Sequence, residues 1–441
     1  MKQKHINISA SRRDFLKTSA TLAGAAVAGA LSLERSVHAA GSDVIRIGLI
    51  GCGVRGTEAT INAFNAGPDI RLTAMADVFA ERQQESLAEL RKKRPAQVEV
   101  KDTHCFLGFD AYRHVIASGV DAVLITPASH FIPEILRAAV AAGKHVFCEK
   151  PHGIDMPGVA VCEAAAESAR QQRLSLVSGL CWRYDVGVRE TMQRVHDGAI
   201  GDIVAIQENY VSKPYYPRER LPGQNEMQYQ LWNWYHFNWL SGDQTAQQII
   251  HSMDKASWAL GDQPPQKCWG MGGRQTAVDP VYGDQFDHQA MVFEYANGVR
   301  VFGFTRDQLE CYNNTSDIFF GTKGRCDLLA HRITGETNWH YDRPKPKHMY
   351  DLEHEALFQA IRTREPLNNG HYMCLSSRLC VLAQIACYTG NMIGWEDALQ
   401  SKRSFSLPRY GWDVEPPVKP GPDGRYPTAQ QGWAELDKWI K

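Results

Sequence analysis

"VIRIGLIGCGVRG", residues 44–56, decides the architecture of the N-terminal half. Val44 to Ile50 is an apolar run that reads as a buried strand, and Thr57 to Ala66 is compatible with a helix. Between them Gly51, Cys52, Gly53, Val54, Arg55 and Gly56 form G-x-G-x-x-G. In that setting the first glycine permits a tight turn, the second lets backbone approach a pyrophosphate, and the third lets helix pack on strand. The helix N-terminus then offers free N–H groups to phosphate. A second apolar run, "IRLTAMAD", ends on Asp77, 21 residues beyond Gly56. A carboxylate there accepts ribose hydroxyls and repels a 2′-phosphate, which points to NAD over NADP; Arg82, close in sequence, is the feature on the other side.

Alternation continues outward. Helices are expected over Ala80–Lys93, Asp110–Ser118, Phe131–Ala142 and Met156–Gln171. Strands are expected at "DAVLITP", "KHVFCEK" and "LSLVSGLCWRY". Strands alternating with helices imply a doubly wound parallel sheet, whose ligands bind at the carboxyl ends of the strands. Thr126, Pro127, His130, Glu149, Lys150, Arg183 and Tyr184 all fall at such ends. Glu149 is expected to face the ribose side, and Lys150 to point away from it, over the reacting ring.

Past Tyr184 the pattern changes. Strand-like segments follow one another near 203–211, 289–305 and 317–329, and Asn297-Gly298 reads as a hairpin turn with both positions at positive φ. The expected class is therefore an α/β Rossmann domain followed by an α+β domain with a large, mostly antiparallel open sheet. The expected boundaries are 43–182 and 183–406, with a Pro-rich extended tail over 407–441. One helix over residues 245–260, "TAQQIIHSMDKASWAL", would carry Gln247, His251, Asp254 and Trp258 on one face, with Asp254 placed to fix the His251 tautomer. The segment before it, "LWNWYHFNWLSGD", alternates rings with amides. Trp234 and Tyr235 are its candidates for stacking on a carbohydrate, and His288 is a further candidate contact.

The 441 residues carry a formal net charge of −1, with no basic stripe, so nucleic-acid binding is not expected. Arg12 and Arg13 stand in "SRRDFLK", ahead of an Ala/Gly-rich apolar stretch and Val37-His38-Ala39, which reads as a twin-arginine export signal over 1–39 and a periplasmic or exported protein. The eleven cysteines form no CxxC or Cys/His cluster at ligand spacing, so no metal site and few or no disulfides are expected.

In order, "GLIGCGVRG", "TPASH", "EKP", "HSMD" and "FFGTKGRCDLL" resemble the glucose–fructose oxidoreductase/inositol dehydrogenase family (Gfo/Idh/MocA), as do "EALFQAIRTREP" and "AQIACYTGNMIGWEDAL". The resemblance implies two domains with a nicotinamide between them, hydride transfer to or from a sugar or polyol, and a homo-oligomer built on the open sheet. It implies that Lys150 and His251 are catalytic, with Asp254 the following acid. Many members carry an aspartate where this chain has Gln247. Some exported relatives use the same chemistry for redox-neutral glycoside hydrolysis, which is the second reading. A non-catalytic sugar-binding protein with structural NAD is the third.

Overall fold

The computed structural model describes residues 44–342 and 346–440. The export signal expected over 1–39 lies outside them.

Strand β1 (Ile45–Ile50) runs into helix α1 (Val54–Asn65), and β2 (Ile70–Asp77) into α2 (Ala80–Lys93). Then come β3 (Cys105–Leu107), α3 (Ala111–Ala117), β4 (Ala122–Ile125), α4 (Ile132–Ala141), β5 (His145–Cys148), α5 (Met156–Gln171) and β6 (Leu176–Ser178). The strands form one parallel sheet in the order β3-β2-β1-β4-β5-β6, so the topological switch lies between β1 and β4. Helices cover both faces, so strand residues such as Ile47, Leu49, Leu72, Val123 and Phe147 are fully buried whichever way they point. The last strand is shorter than expected. After Ser178 the chain turns at Gly179, and Cys181–Tyr184 is a 3₁₀ turn.

The second sheet has nine strands. Helix α6 (Val186–His196) leads into β7 (Ile203–Ser212), and short helices α7 (Glu226–Trp232), α8 (Asn238–Ser241), α9 (Asp243–Gln247) and α10 (Ile250–Ala259) follow. Then come β8 (Lys267–Gly273), β9 (His288–Glu294), β10 (Arg300–Asp307), β11 (Asn314–Gly321), β12 (Gly324–Asp327), β13 (Arg332–Gly335) and β14 (Trp339–His340). Helices α11 (Met349–Thr363) and α12 (Gly370–Thr389), strand β15 (Ile393–Gly394) and helices α13 (Trp395–Leu399) and α14 (Trp433–Ile440) complete the chain. The sheet order is β14-β13-β12-β11-β7-β10-β9-β8-β15; β10 pairs with β7 in parallel, and the other pairs are antiparallel.

Three expectations for this half change. The hairpin at Asn297-Gly298 exists, but only Gly298 has positive φ, because Gly298 N donates to Tyr295 O and widens the loop beyond two residues. Residues 317–329 are two strands, β11 and β12, folded at Gly321–Gly324. The C-terminal stretch is docked. Tyr426 packs edge-on against Phe237 at 4.8 Å, Trp412 lies 5.0 Å from Phe109, and the chain ends in α14.

Helix α12 is buried almost all round, which marks it as the central helix joining the two sheets. Helix α11 returns to the first sheet, where His354 lies 4.1 Å from Phe147 and Arg362 pairs with Asp69 at 2.7 Å. The second sheet is covered on one face only. Along its open face Met271, Ala290, Phe304 and Asn209 stand side by side, with Met271 and Phe304 exposed. Its covered face is partly polar. Glu208 and Asp317 are direct cross-strand partners, both fully buried, and Lys255 of α10 reaches Asp317 at 3.1 Å. Burial, with Asp317 opposite, raises the Glu208 carboxyl well above the usual range, and Lys255 opposes the shift.

Candidate active site

A cleft of about 1150 Å³ runs from the switch point of the first sheet to the covered side of the second. At one end stands the glycine loop. Gly51 has φ +92°, and a Cβ there would meet Pro127 N at 2.6 Å; a Cβ on Gly56 would run into the Gly51 carbonyl oxygen. A Cβ on Gly53 would meet nothing within 4 Å, so that glycine faces open space, as close approach of a pyrophosphate requires. Helix α1 has no side-chain cap, and Val54, Arg55 and Gly56 of its first turn line the cleft. Thr126 Oγ1 donates to Gly51 O at 2.7 Å and ties β4 to the loop, with Pro127 beside it on the wall. These residues fit the phosphates of a dinucleotide.

Asp77 borders the same end. Its carboxylate accepts from Cys52 N at 2.6 Å and from Phe79 N at 2.9 Å, so it also braces the loop. Arg82 donates to Trp232 O at 2.7 Å and stacks between Phe79 and Trp232. Burial lowers its guanidinium pKa to about 10. His130 is on the wall too, bonded through Nε2 to the Tyr410 hydroxyl at 2.7 Å, and burial holds its imidazole down to about 4.

At the other end Lys150, Gln247, Gln248 and His251 meet a group of rings. The Gln247–Trp258 stripe is not on one continuous helix. The chain breaks at Gln248, with φ −116° and ψ −68°, where the buried polar groups of Gln247 and Gln248 find partners off the helix. Gln247 Nε2 donates to Ser129 Oγ at 2.8 Å and to Ser241 O. His251 N donates to Gln248 O at 3.2 Å, where an unbroken helix would have directed it to Gln247 O. The freed Gln247 carbonyl accepts from Lys150 Nζ at 2.5 Å. A backbone carbonyl thus holds the lysine at a position where the family pattern has an aspartate.

Glu149 lines the cleft, and its carboxylate is tied to the glycine loop. Its carboxylate accepts from Arg55 Nε at 2.5 Å, and Arg55 also reaches the buried Glu353 at 3.4 Å. The acid is therefore spent on an arginine of the glycine loop, not on the Lys150 amine. Burial lowers the Lys150 pKa, with Glu149 opposing and Arg55 assisting. Burial also holds His251 well below its usual value, and the positive charges of Lys150, Lys255 and Arg55 push the same way. His251 is thus a neutral imidazole, and its Nδ1 has no protein partner.

Asp254, expected to orient His251, instead accepts from Arg183 through both Nε at 3.1 Å and Nη2 at 2.9 Å, and from Ser376 Oγ at 2.8 Å. Arg183 is closed into that ion pair, with Asp262 as second partner and Trp258 and Tyr372 against its guanidinium. Tyr184 donates to Asn369 at 2.8 Å, and His288 pairs with Asp287 at 2.7 Å. None of Asp254, Arg183, Tyr184 and His288 lines the cleft. The aromatic segment divides. Trp234 and Tyr235 reach the cleft, whereas Phe237 and Trp239 are core. Tyr210 and Tyr215, not singled out from sequence, join them: Tyr215 stacks on Tyr235 at 5.9 Å, and its hydroxyl meets that of Tyr210 at 3.2 Å. No local pattern marks these two; strand β7 and the loop after it bring them in. All eleven cysteines are free thiols, and Cys311 alone is exposed.

Residues 45–179 match the family model GFO_IDH_MocA, described as an oxidoreductase family with an NAD-binding Rossmann fold. Over 288 residues the chain is 26% identical to the myo-inositol 2-dehydrogenase of Thermotoga maritima, covering 64% of this chain and 74% of that protein. Over 218 residues it is 29% identical to a glycosyl hydrolase family 109 protein of Shewanella amazonensis, covering 45% and 46%. The crystal structure of the aldose-aldose oxidoreductase from Caulobacter crescentus with glycerol superposes with a TM-score of 0.62 at 20% identity, over 80% of this chain and 99% of that one, and shows the shared fold.

Proposed function

We propose that this chain, an oxidoreductase of the Gfo/Idh/MocA type with a nicotinamide-binding Rossmann half, oxidises or reduces a sugar or polyol held between its two sheets. The observation that carries the reading is the meeting of Lys150, a neutral His251 and the Trp234/Tyr235/Tyr215 rings at the far end of the dinucleotide cleft. When bound, the nicotinamide accepts or returns the hydride. Lys150 Nζ donates one hydrogen to Gln247 O, which aims the amine. Its neutral form, favoured by burial, takes the substrate hydroxyl proton. His251 is the second base within the same space. The rings exclude water and stack on the sugar's C–H faces.

NAD is favoured over NADP because Asp77 stands at the ribose end, while Arg82 is committed to the Trp232 carbonyl and two rings. Export through the twin-arginine route and assembly through the open face of the nine-stranded sheet belong to the same proposal. The relation to a glycosyl hydrolase family 109 protein supports a second reading, in which oxidation is transient and a glycoside is hydrolysed with no net redox change.

The purified holoprotein, mixed with myo-inositol, aldoses and 4-nitrophenyl glycosides, tests both. Stable growth of reduced-nicotinamide absorbance that a second carbonyl compound reverses supports the oxidoreductase. Nitrophenol release with no lasting absorbance change supports the glycosidase. Silence across all these compounds, with NAD bound, would leave the sugar-binding reading.

A further inference from the structure

The break that frees the Gln247 carbonyl also places Gln248 on the cleft wall with a partner of its own. Gln248 is 1% exposed and Asp307, at the end of β10, is 6% exposed. Gln248 Nε2 donates to Asp307 Oδ2 at 2.9 Å. While Asp307 is ionised its carboxylate can only accept, and the bond then fixes which way the amide faces. Gln248 Oε1 then has no hydrogen-bond partner in the protein, nor has Asp307 Oδ1. Tyr235 hydrogen-bonds the Gln248 side chain in the sense that favours its phenolate, so the amide NH₂ donates to the phenol oxygen and Oε1 stays without a partner. A buried acceptor left unmade is costly unless something in the cleft donates to it.

We propose that Gln248, held in one orientation by Asp307, is a specificity determinant that accepts a hydrogen bond from a substrate hydroxyl through Oε1. The inference rests on the sugar or polyol reading above. Asp307 touches no substrate and acts as a positioning residue. The ligand group read is a hydroxyl donor, so a substrate bearing fluorine or hydrogen at that carbon loses the contact.

Protonation of Asp307 removes the constraint, because a carboxylic acid can donate to Oε1 of a flipped amide and present the NH₂ group instead. Burial raises this carboxyl to about 7; Gln248 lowers it, and Asp243 and Asp287 raise it. The groups facing it are Asp243 of α9, which is bonded to Thr245 and Gln289, Asp287 with its His288 partner, and the phenols of Tyr235 and Tyr210. The acceptor orientation is therefore present above the Asp307 pKa and lost as pH falls through it.

The test uses the holoprotein and the best-turned-over polyol or sugar from the panel above, with its monodeoxy and monofluoro analogues. In the wild type at about one pH unit above 7, one analogue should lose at least about tenfold in kcat/KM against the parent. In Gln248→Met the parent should fall to the level of that analogue. The ratio of parent to analogue cancels the titration of Lys150 and His251, so its pH dependence reports Asp307. It should shrink in the wild type about one unit below pH 7 and stay flat with pH in Asp307→Asn. Wild-type discrimination retained in Gln248→Met, or an unchanged wild-type ratio across that range, overturns the proposal. The wild-type series needs no variant and decides the matter even where a substitution unfolds the chain. If no compound is turned over, the functional reading fails separately. Quenching of tryptophan fluorescence by myo-inositol, compared between wild type and Gln248→Met, then decides the contact: equal affinity, or no binding by either, counts against it.

Discussion

The two sheets solve burial differently. Strands of the first are covered on both faces, and their buried residues are almost all apolar, so their stability follows from packed hydrocarbon. The second is covered on one face, and that face holds Glu208, Asp317, Thr305, Asp307 and Gln289 under helix α10, which carries Lys255, and the break at Gln248 before it. The first sheet is a scaffold whose chemistry is confined to its edge loops. The second buries polar groups on its covered face, and each needs a partner to be tolerable there.

Four measurements would break or sharpen this contrast. The largest effect is expected at the junction. Lys150→Ala should lower turnover by about 10²–10⁴-fold, with circular dichroism and bound nicotinamide unchanged. An active Lys150→Ala protein would remove the amine from the chemistry and leave His251 as the base.

Next come two core substitutions. Lys255→Met strands the Glu208–Asp317 pair and should cost about 3–5 kcal/mol in guanidinium unfolding. Leu49→Ala leaves a cavity in the first sheet and should cost about 2–5 kcal/mol. Their costs should differ in kind: raising acidity to protonate the carboxylates should narrow the loss in Lys255→Met and leave that in Leu49→Ala unchanged. If both respond alike, the second sheet is not held by its charges.

A smaller effect is expected in the glycine loop. Gly53→Ala has free space and should keep its melting temperature, yet lose about 1–3 kcal/mol of NAD affinity by titration calorimetry, because the methyl occupies the approach of the phosphates. Unchanged NAD affinity would move the pyrophosphate elsewhere.

The smallest is expected on the open face of the second sheet. Phe304→Ser should change the stability of a single subunit by no more than about 0.5 kcal/mol. Light scattering should nevertheless show a lower mass if copies of the chain meet through this face. A mass unchanged by Phe304→Ser, and by Met271→Ser with it, would place any interface elsewhere.

The sequence by itself determined the first sheet and its loop. Short apolar runs such as "VIRIGLI" and "DAVLITP", rich in β-branched residues and ended by Gly or Pro, read as buried strands, and the three glycines after the first fit one known turn into a helix, so strand, turn and helix could be read locally. Lys150 was legible because it ends such a strand, and Trp234, Tyr235 and His251 because their residue types suit the chemistry. Tertiary structure alone decided the rest. A helical period through Gln247, His251 and Asp254 is present in the letters, but the helix is broken at Gln248, where the side chains bond Ser129 and Asp307, far off in sequence, as well as Ser241 six residues back. Asp254 and Arg183 looked like site residues until they found each other behind the cleft. Buried polar groups choose partners by proximity in the folded chain, and no period records that choice.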